Sequence, residues 1–178
     1  MYYDRIIEGR FVDLKSVTAE DADFTRNIRQ DPDFARFFPP LDNTLEQQKN
    51  WIKFQQSKAG DYFFVVWDKN GERIGTIALY NINGKNCESG RLAVKGNAFQ
   101  STEAQLLIFK FAFEYLGMET VSGYIFADNH RAIRFNKQFG CTMEEPEMHD
   151  NGHYMVKATY TKEAVDKAFK GKKKMMYR

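Results

Sequence analysis

The densest chemistry in the chain lies between Glu88 and Leu107, in the run Glu-Ser-Gly-Arg-Leu-Ala-Val-Lys-Gly-Asn-Ala-Phe-Gln-Ser-Thr-Glu-Ala-Gln-Leu-Leu. Arg91-Leu92-Ala93-Val94 reads as a short strand, Lys95 to Gln100 as a tight loop, and Ser101-Thr102-Glu103 as the first turn of an apolar helix. A strand that passes through a loop into a helix N-terminus leaves backbone N–H groups unpaired at the positive end of the helix dipole, which suits a phosphate or another anion. The backbone of Gly96, Asn97, Ala98, Phe99, Gln100, Ser101 and Thr102 is therefore a candidate anion cradle.

The other reactive residue types lack partners. His149 and His153 flank a turn sequence and no third ligand stands at a metal-binding spacing, so no metal is expected. Cys87 and Cys141 are too few for a disulfide framework and have no neighbours that argue for a nucleophile.

A chain of 178 residues that is 43% hydrophobic and 15% aromatic can bury a core without metal or disulfide staples. Its net charge of +2 is uneven: Lys170, Lys172, Lys173, Lys174 and Arg178 crowd the end, and removing those five charges leaves the body at −3. The body offers no basic face for nucleic acid, and the Lys run reads as a solvated end. The start lacks the apolar core of a signal peptide and no apolar run spans a membrane. The expectation is one cytoplasmic domain over residues 1–170 with a basic tail at 171–178, working without nucleic acid or membrane as a monomer or homodimer.

The elements that must position the loop follow from local signals. Arg10 to Val17 alternates as a strand, Thr18 to Asp21 resembles a capping box that starts a helix to Arg29, and Asp31-Pro32 stops it. The prolines around Phe37-Phe38 argue against helix there, and Thr44 with Gln47 restarts one. Tyr62 to Trp67 and Arg73 to Asn81 form a hairpin across Asn70-Gly71, and Asn83 to Asn86 turns into the strand that holds Glu88 to Val94. The central helix runs from Ser101 to about Leu116 with apolar residues on most sides, and Gly117 ends it. Thr120 to Phe126 is a strand, a helix capped by Asn129 ends at Gly140, Thr142 to Glu147 and His153 to Tyr160 close a hairpin, and Thr161 to Phe169 is a last helix.

This order resembles the GNAT acetyl-CoA-dependent N-acetyltransferases. Ser101-Thr102-Glu103-Ala104 resembles the Gly-Thr-Glu-Ala that opens that family's central helix, Asn129-His130-Arg131-Ala132-Ile133 its Asn-x-x-Ala-Ile, and Phe139-Gly140-Cys141 its Gly-Phe. Arg10 to Leu14, Val17 to Ala22 and Ile74 to Ile82 are similar to the branch of ribosomal-protein and nucleotide amino-sugar N-acetyltransferases. The resemblance implies an α/β (α+β) fold with a mixed, mostly antiparallel central sheet of about seven strands flanked by helices. It departs at the phosphate loop, where Gly96 to Ser101 stand in the six places of Arg/Gln-x-x-Gly-x-Gly/Ala and both later glycines are replaced, one by Phe99.

The resemblance also implies roles. Backbone groups of Leu92, Ala93 and Val94 pair the donor's pantetheine and acetyl oxygen, Asn129 bonds the pantetheine, and Arg131 meets phosphate. Glu88 stands where the family often has the base that takes the amine proton; read alone it is a surface charge at a strand start. Asn136 stands where many members have the Tyr that protonates the thiolate, and either hydrogen-bonds the sulfur, leaves it to depart unassisted, or is a plain inward polar residue. Phe37, Phe38, Tyr80, Asn81, Asn83 and Arg91 come from segments that line the acceptor cleft in that fold, though the Phe pair also reads as core. The implied reaction is acetyl transfer from acetyl-CoA to a small-molecule primary amine, first an amino-sugar nucleotide. A protein N-terminus, another small amine, or acyl-CoA binding without catalysis are the alternatives.

Overall fold

A computed structural model describes residues 1–170; the basic tail, 171–178, lies outside the described residues. Strands β1 (Ile7–Glu8), β2 (Val12–Ser16), β3 (Tyr62–Asp68), β4 (Arg73–Asn83), β5 (Asn86–Val94), β6 (Thr120–Phe126), β7 (Thr142–Met143), β8 (Glu147–Met148) and β9 (Tyr154–Thr161) form one sheet. Its order is β1-β2-β3-β4-β5-β6-β9-β7, with β8 also on β9, and only β5 and β6 pair in parallel. Helices α1 (Ala22–Gln30), α2 (Pro32–Ala35) and α3 (Leu45–Ser57) precede β3. Helix α4 (Ala98–Lys110) continues as a π turn through Phe111–Tyr115, and α5 (His130–Lys137) and α6 (Lys162–Phe169) follow β6 and β9.

Strand β3 shows how the sheet is buried on both faces. Its period of two sends Phe64 and Val66 into the main core with Ile77, Leu79, Leu107, Ile108 and Phe111, while Phe63 and Val65 join Val17, Ala22, Ile52 and Ala78 on the other face. Helix α4 covers the first face and α1 with α3 the second, so the uninterrupted apolar run of β3 follows from burial on both sides. The Glu103 carboxylate, fully buried on α4, accepts from the N–H groups of Arg10, Phe11 and Val12 at 2.9, 2.6 and 2.9 Å. Gly9 leaves room for it, since a Cβ there would stand 2.6 Å from Glu103.

Three local expectations change. The sheet has nine strands because a two-residue β1 precedes β2 and because Pro146, which cannot donate to a ladder, divides the expected Thr142 to Glu147 strand into β7 and β8. The proline-rich segment carries one helical turn, α2, since Pro32 occupies the first helical position, where its missing N–H costs nothing, and the Asp31 side chain accepts from Asp33 N–H. Helix α4 begins at Ala98 rather than Ser101, for a reason that bears on the site.

Candidate active site

Strands β5 and β6 pair only through Asn86–Thr120, Cys87–Val121 and Glu88–Ser122, although β5 runs on to Val94 and β6 to Phe126. A β-bulge helps drive them apart: Thr76 faces Ala93 and Ala78 faces Gly90, so one residue of β4, Ile77, is matched by two of β5, Arg91 and Leu92. Arg91 takes φ +51° there, rare for a side chain other than glycine, and its carbonyl accepts from the Thr76 hydroxyl at 2.8 Å. Beyond Ser89 and Gly123 the facing edges of β5 and β6 are unpaired. They open a cavity of about 820 Å³ that passes through the sheet from the α1 and α3 face to the α4 and α5 face.

On the α4 side, Ser101, Gln105, Asn129, Arg131, Ala132, Phe135, Asn136 and Tyr160 border the cavity. The start of α4 beside it is already closed by its own residues. The Asn97 side chain accepts from Phe99 and Gln100 N–H at 2.9 and 3.0 Å, and Gln100 Oε1 returns the bond to Asn97 N–H at 2.9 Å. This reciprocal cap starts the helix three residues early and leaves Ala98 as the uncapped N–H of the first turn. Phe99, half-exposed, packs on Phe11 at 5.5 Å instead of yielding its place to a ligand. Lys95 forms an ion pair with Asp31, which lowers the aspartate's pKa and raises the lysine's.

Deeper on that side, Asn136 Nδ2 donates to the Ala132 carbonyl at 2.8 Å while Oδ1 accepts from the Tyr160 hydroxyl. Burial and the nearby Cys141 push the Tyr160 pKa far up, so its phenol stays protonated. Burial likewise raises Cys141, and burial with the Glu88 charge pushes Cys87 up to about 12; both remain thiols.

On the α1 and α3 side, Arg91 donates to both Asp61 oxygens at 2.7 and 2.9 Å, and its guanidinium lies 4.8 Å from the Tyr80 ring centre and 5.3 Å from those of Trp51 and Phe63. Asp61 is buried. Desolvation raises its pKa, but Arg91 more than offsets this, with help from Gln55 and Lys58, and the carboxyl is held below its ordinary range. The Tyr80 hydroxyl lies against Gly90, where a Cβ would come within 2.1 Å. Burial first, then Glu88, raises the Tyr80 pKa against the opposing charge of Arg91. Arg29, with Phe37 and Phe38, completes this floor.

Of the residues singled out from sequence, Phe37, Phe38, Tyr80, Arg91, Leu92, Val94, Ser101, Asn129, Arg131 and Asn136 meet at the cavity. Ala93 faces away into the sheet, and Gly96, Asn97, Ala98, Phe99, Gln100 and Thr102 lie outside the wall because the cap winds them into or against the helix. Asn81 and Asn83 are exposed beyond the wall, where Asn81 turns at φ +51° in a bulge and Asn83 pairs with Asn86 at the hairpin end. Glu88 is also outside the wall, opposite Tyr80 and Ser122. His149 and His153 pack on Tyr124 and Phe126, each at 4.9 Å, and His153 reaches the cavity. Sequence reading passed over Arg29, Trp51, Asp61 and Tyr160. For Tyr160 a signal existed, since Val156, Ala158 and Tyr160 alternate onto one buried face of β9.

Comparison with known proteins places this geometry. Residues 12–142 match the family described as Acetyltransferase (GNAT) domain. The chain is 32% identical over 111 residues to Acetyltransferase PseH of Campylobacter jejuni serotype O:2 (strain NCTC 11168), covering 62% of this chain and 69% of that protein. Its fold is similar to apo FdhC, described as a nucleotide-linked sugar GNAT, with a TM-score of 0.79 at 18% identity over 96% of this chain and 97% of the other. It is also similar to the spermidine/spermine N-acetyltransferase SpeG of Vibrio cholerae, with a TM-score of 0.73 at 12% identity over 90% and 98%. The family match runs from the first core strand through the parted strands to the helix that carries Asn136, and the chain belongs to the GNAT acetyltransferase family.

Proposed function

We propose that this chain transfers the acetyl group of acetyl-CoA directly to a primary amine, and that the amine belongs to a nucleotide-linked amino sugar. The observation that carries this reading is the parting of β5 from β6 beyond Glu88 and Ser122, which offers an unpaired strand edge beside a cavity open to both faces of the sheet. The free edge of β5 around Leu92 and Val94 supplies hydrogen-bonding groups for the amides of a pantetheine arm and for the thioester oxygen. Asn129 and Arg131 stand at the α5 end of the same wall, where the arm leads toward its phosphates. The donor supplies an activated acetyl carbon; the protein holds it beside the amine.

The amine lone pair attacks the carbonyl carbon, the carbon–sulfur bond breaks as the amide forms, and the thiolate takes a proton. Glu88 receives the proton lost by the amine through water at Tyr80, across which it pairs. Asn136, oriented by the Tyr160 hydroxyl, places an amide hydrogen beside the departing sulfur. Phe37 and Phe38 offer ring faces to a sugar or base. Among the fold neighbours, one described as a nucleotide-linked sugar GNAT fits this floor better than a polyamine enzyme does, because with Arg91 and Arg36 paired to Asp61 and Asp128 the cavity wall still carries Arg29 and Arg131 against a single acid, Asp33.

A second reading, acyl-CoA binding without turnover, is favoured by the Asn97 cap, which occupies N–H groups that a pyrophosphate would use. Isothermal titration with acetyl-CoA, followed by thiol release over amino-sugar nucleotides, peptides and polyamines, separates them. Binding with turnover of the sugar nucleotides supports the first reading, binding without any turnover the second, and no binding ends both.

A further inference from the structure

Arg29 is a half-buried cation to which no carboxylate is paired among the described residues. It sits in the last turn of α1, its Nη2 donates to the Pro39 carbonyl at 2.9 Å, and its guanidinium carbon lies 5.5 Å from the Phe38 ring centre. Its Nε is buried with no hydrogen-bond partner, and among the described residues no carboxylate stands within ion-pair reach of it. The other arginines of this floor are occupied: Arg91 is bound by Asp61 and Arg36 by Asp128. The charge of Arg91 also presses on Arg29, and burial followed by that repulsion lowers the Arg29 pKa. An unpaired buried charge costs free energy that a bound counter-charge returns.

We propose that Arg29 is the anion subsite of the acceptor pocket, binding an oxyanion carried by the acceptor itself, either a phosphate of its nucleotide or a carboxylate on its sugar. This rests on the reading of the cavity as the acetyl-transfer site. Arg29 and the amine-binding region border one cavity, so an acceptor held by its oxyanion at the α1 floor reaches the parted strands with its amine end. A planar guanidinium resting on Phe38 presents its edge to such a group in a fixed orientation. The same charge repels a polyamine, so Arg29 selects against that class as well as for anionic amines.

The test is isothermal titration of the CoA-saturated protein with uridine diphosphate, adenosine diphosphate, glucuronate and spermidine, for the wild type, Arg29→Met and Arg29→Lys. Saturating CoA keeps the nucleotides from the donor site. Expected are a nucleotide or glucuronate that binds the wild type, at least tenfold weaker binding to Arg29→Met, partial recovery in Arg29→Lys, and spermidine weaker than the anions. A nucleotide preference assigns the oxyanion to phosphate and a glucuronate preference to a sugar carboxylate. Thermal unfolding runs alongside: loss of a half-buried cation with no paired carboxylate leaves Tm of Arg29→Met unchanged or higher. Equal anion affinity in wild type and Arg29→Met, no anion binding at all, or spermidine binding best overturns the proposal, as does a lowered Tm with unchanged affinity, which assigns Arg29 to holding the Pro39 loop. Failure of CoA itself to bind overturns the acetyl-transfer reading instead, and the same titrations on the free protein then decide whether Arg29 binds anions.

Discussion

At the start of α4 the protein satisfies its own donors, with Asn97 taking the N–H groups of Phe99 and Gln100 and Gln100 taking that of Asn97. At the α1 and α3 floor it does the reverse, half-burying two guanidinium groups against one buried carboxylate, Asp61, and leaving Arg29 Nε unmet. The first region is complete without ligand; under the proposed reading it must give something up to bind a phosphate, and its affinity is scaled by the fraction of time the cap is open. The second region is incomplete without ligand and gains by binding. Under the proposed reading, specificity is concentrated at the acceptor end and adaptability at the donor end.

The largest effect is expected from breaking the buried ion pair of the floor. Asp61→Ala strands Arg91 beside Arg29 in a buried site and should cost about 3 to 5 kcal/mol in urea unfolding; a loss under 1 kcal/mol would mean that the floor tolerates free cations and that Arg29 is not special. The pH dependence has a definite sign. The Asp61 carboxyl is held below its unfolded value, so its contribution is fully present above about pH 4 and is lost as pH falls through the lowered folded value. Asp61→Asn should flatten that acid limb of the stability curve.

Between the two regions, Glu88→Gln should lower kcat/KM about 100-fold at neutral pH, with acetyl-CoA affinity unchanged. Unchanged turnover would remove Glu88 from the proton path and leave it as a strand-start charge. Tyr160→Phe should lower kcat about tenfold, near 1.4 kcal/mol, because Asn136 loses the hydroxyl that orients it; a matching change in KM alone would reassign the pair to donor binding. The smallest effect sharpens the comparison most. Asn97→Gly should cost only about 0.3 kcal/mol of stability and tighten acetyl-CoA about threefold, since it frees two N–H groups. Weaker binding would show that the Asn97 side chain contacts the donor directly.

Much of the frame is legible in the sequence. The Asn70-Gly71 hairpin, the Thr44–Gln47 cap and the Gly117 and Gly140 helix stops depend on neighbours a few residues apart, and short-range chemistry decides them. The start of α4 is also local, yet the motif Ser101-Thr102-Glu103-Ala104 points to a helix opening at Ser101, although it forms the second turn, and casts Asn97 and Gln100 as anion-cradle residues rather than as the cap they form. The α1 and α3 floor is hidden for a different reason. Arg91 and Asp61 are thirty positions apart and meet only when the bulge at Arg91 turns its side chain toward α3, and Arg29 becomes a half-buried charge only when Phe38 and Pro39 close against it. Those are tertiary events with no periodicity to announce them. Glu103 stands out in the sequence only for the motif it belongs to, while its work is to hold the N–H groups of Arg10, Phe11 and Val12 at the start of β2.

That carboxylate also bears on the order in which the chain assembles. Strands β1 to β5 each pair with the next in sequence, so a meander up to Val94 can zip from neighbouring hairpins while later residues are still being synthesised. It cannot be sealed then, because the N–H groups of Arg10, Phe11 and Val12 wait for an acceptor more than ninety residues downstream. Emergence of α4 supplies Glu103 and the apolar cover together, and the parallel β6 can join only afterwards. The seam between β5 and β6 therefore forms after α4, closed by three residue pairs and left open beyond them, and β9 completes the sheet on the far side of β6.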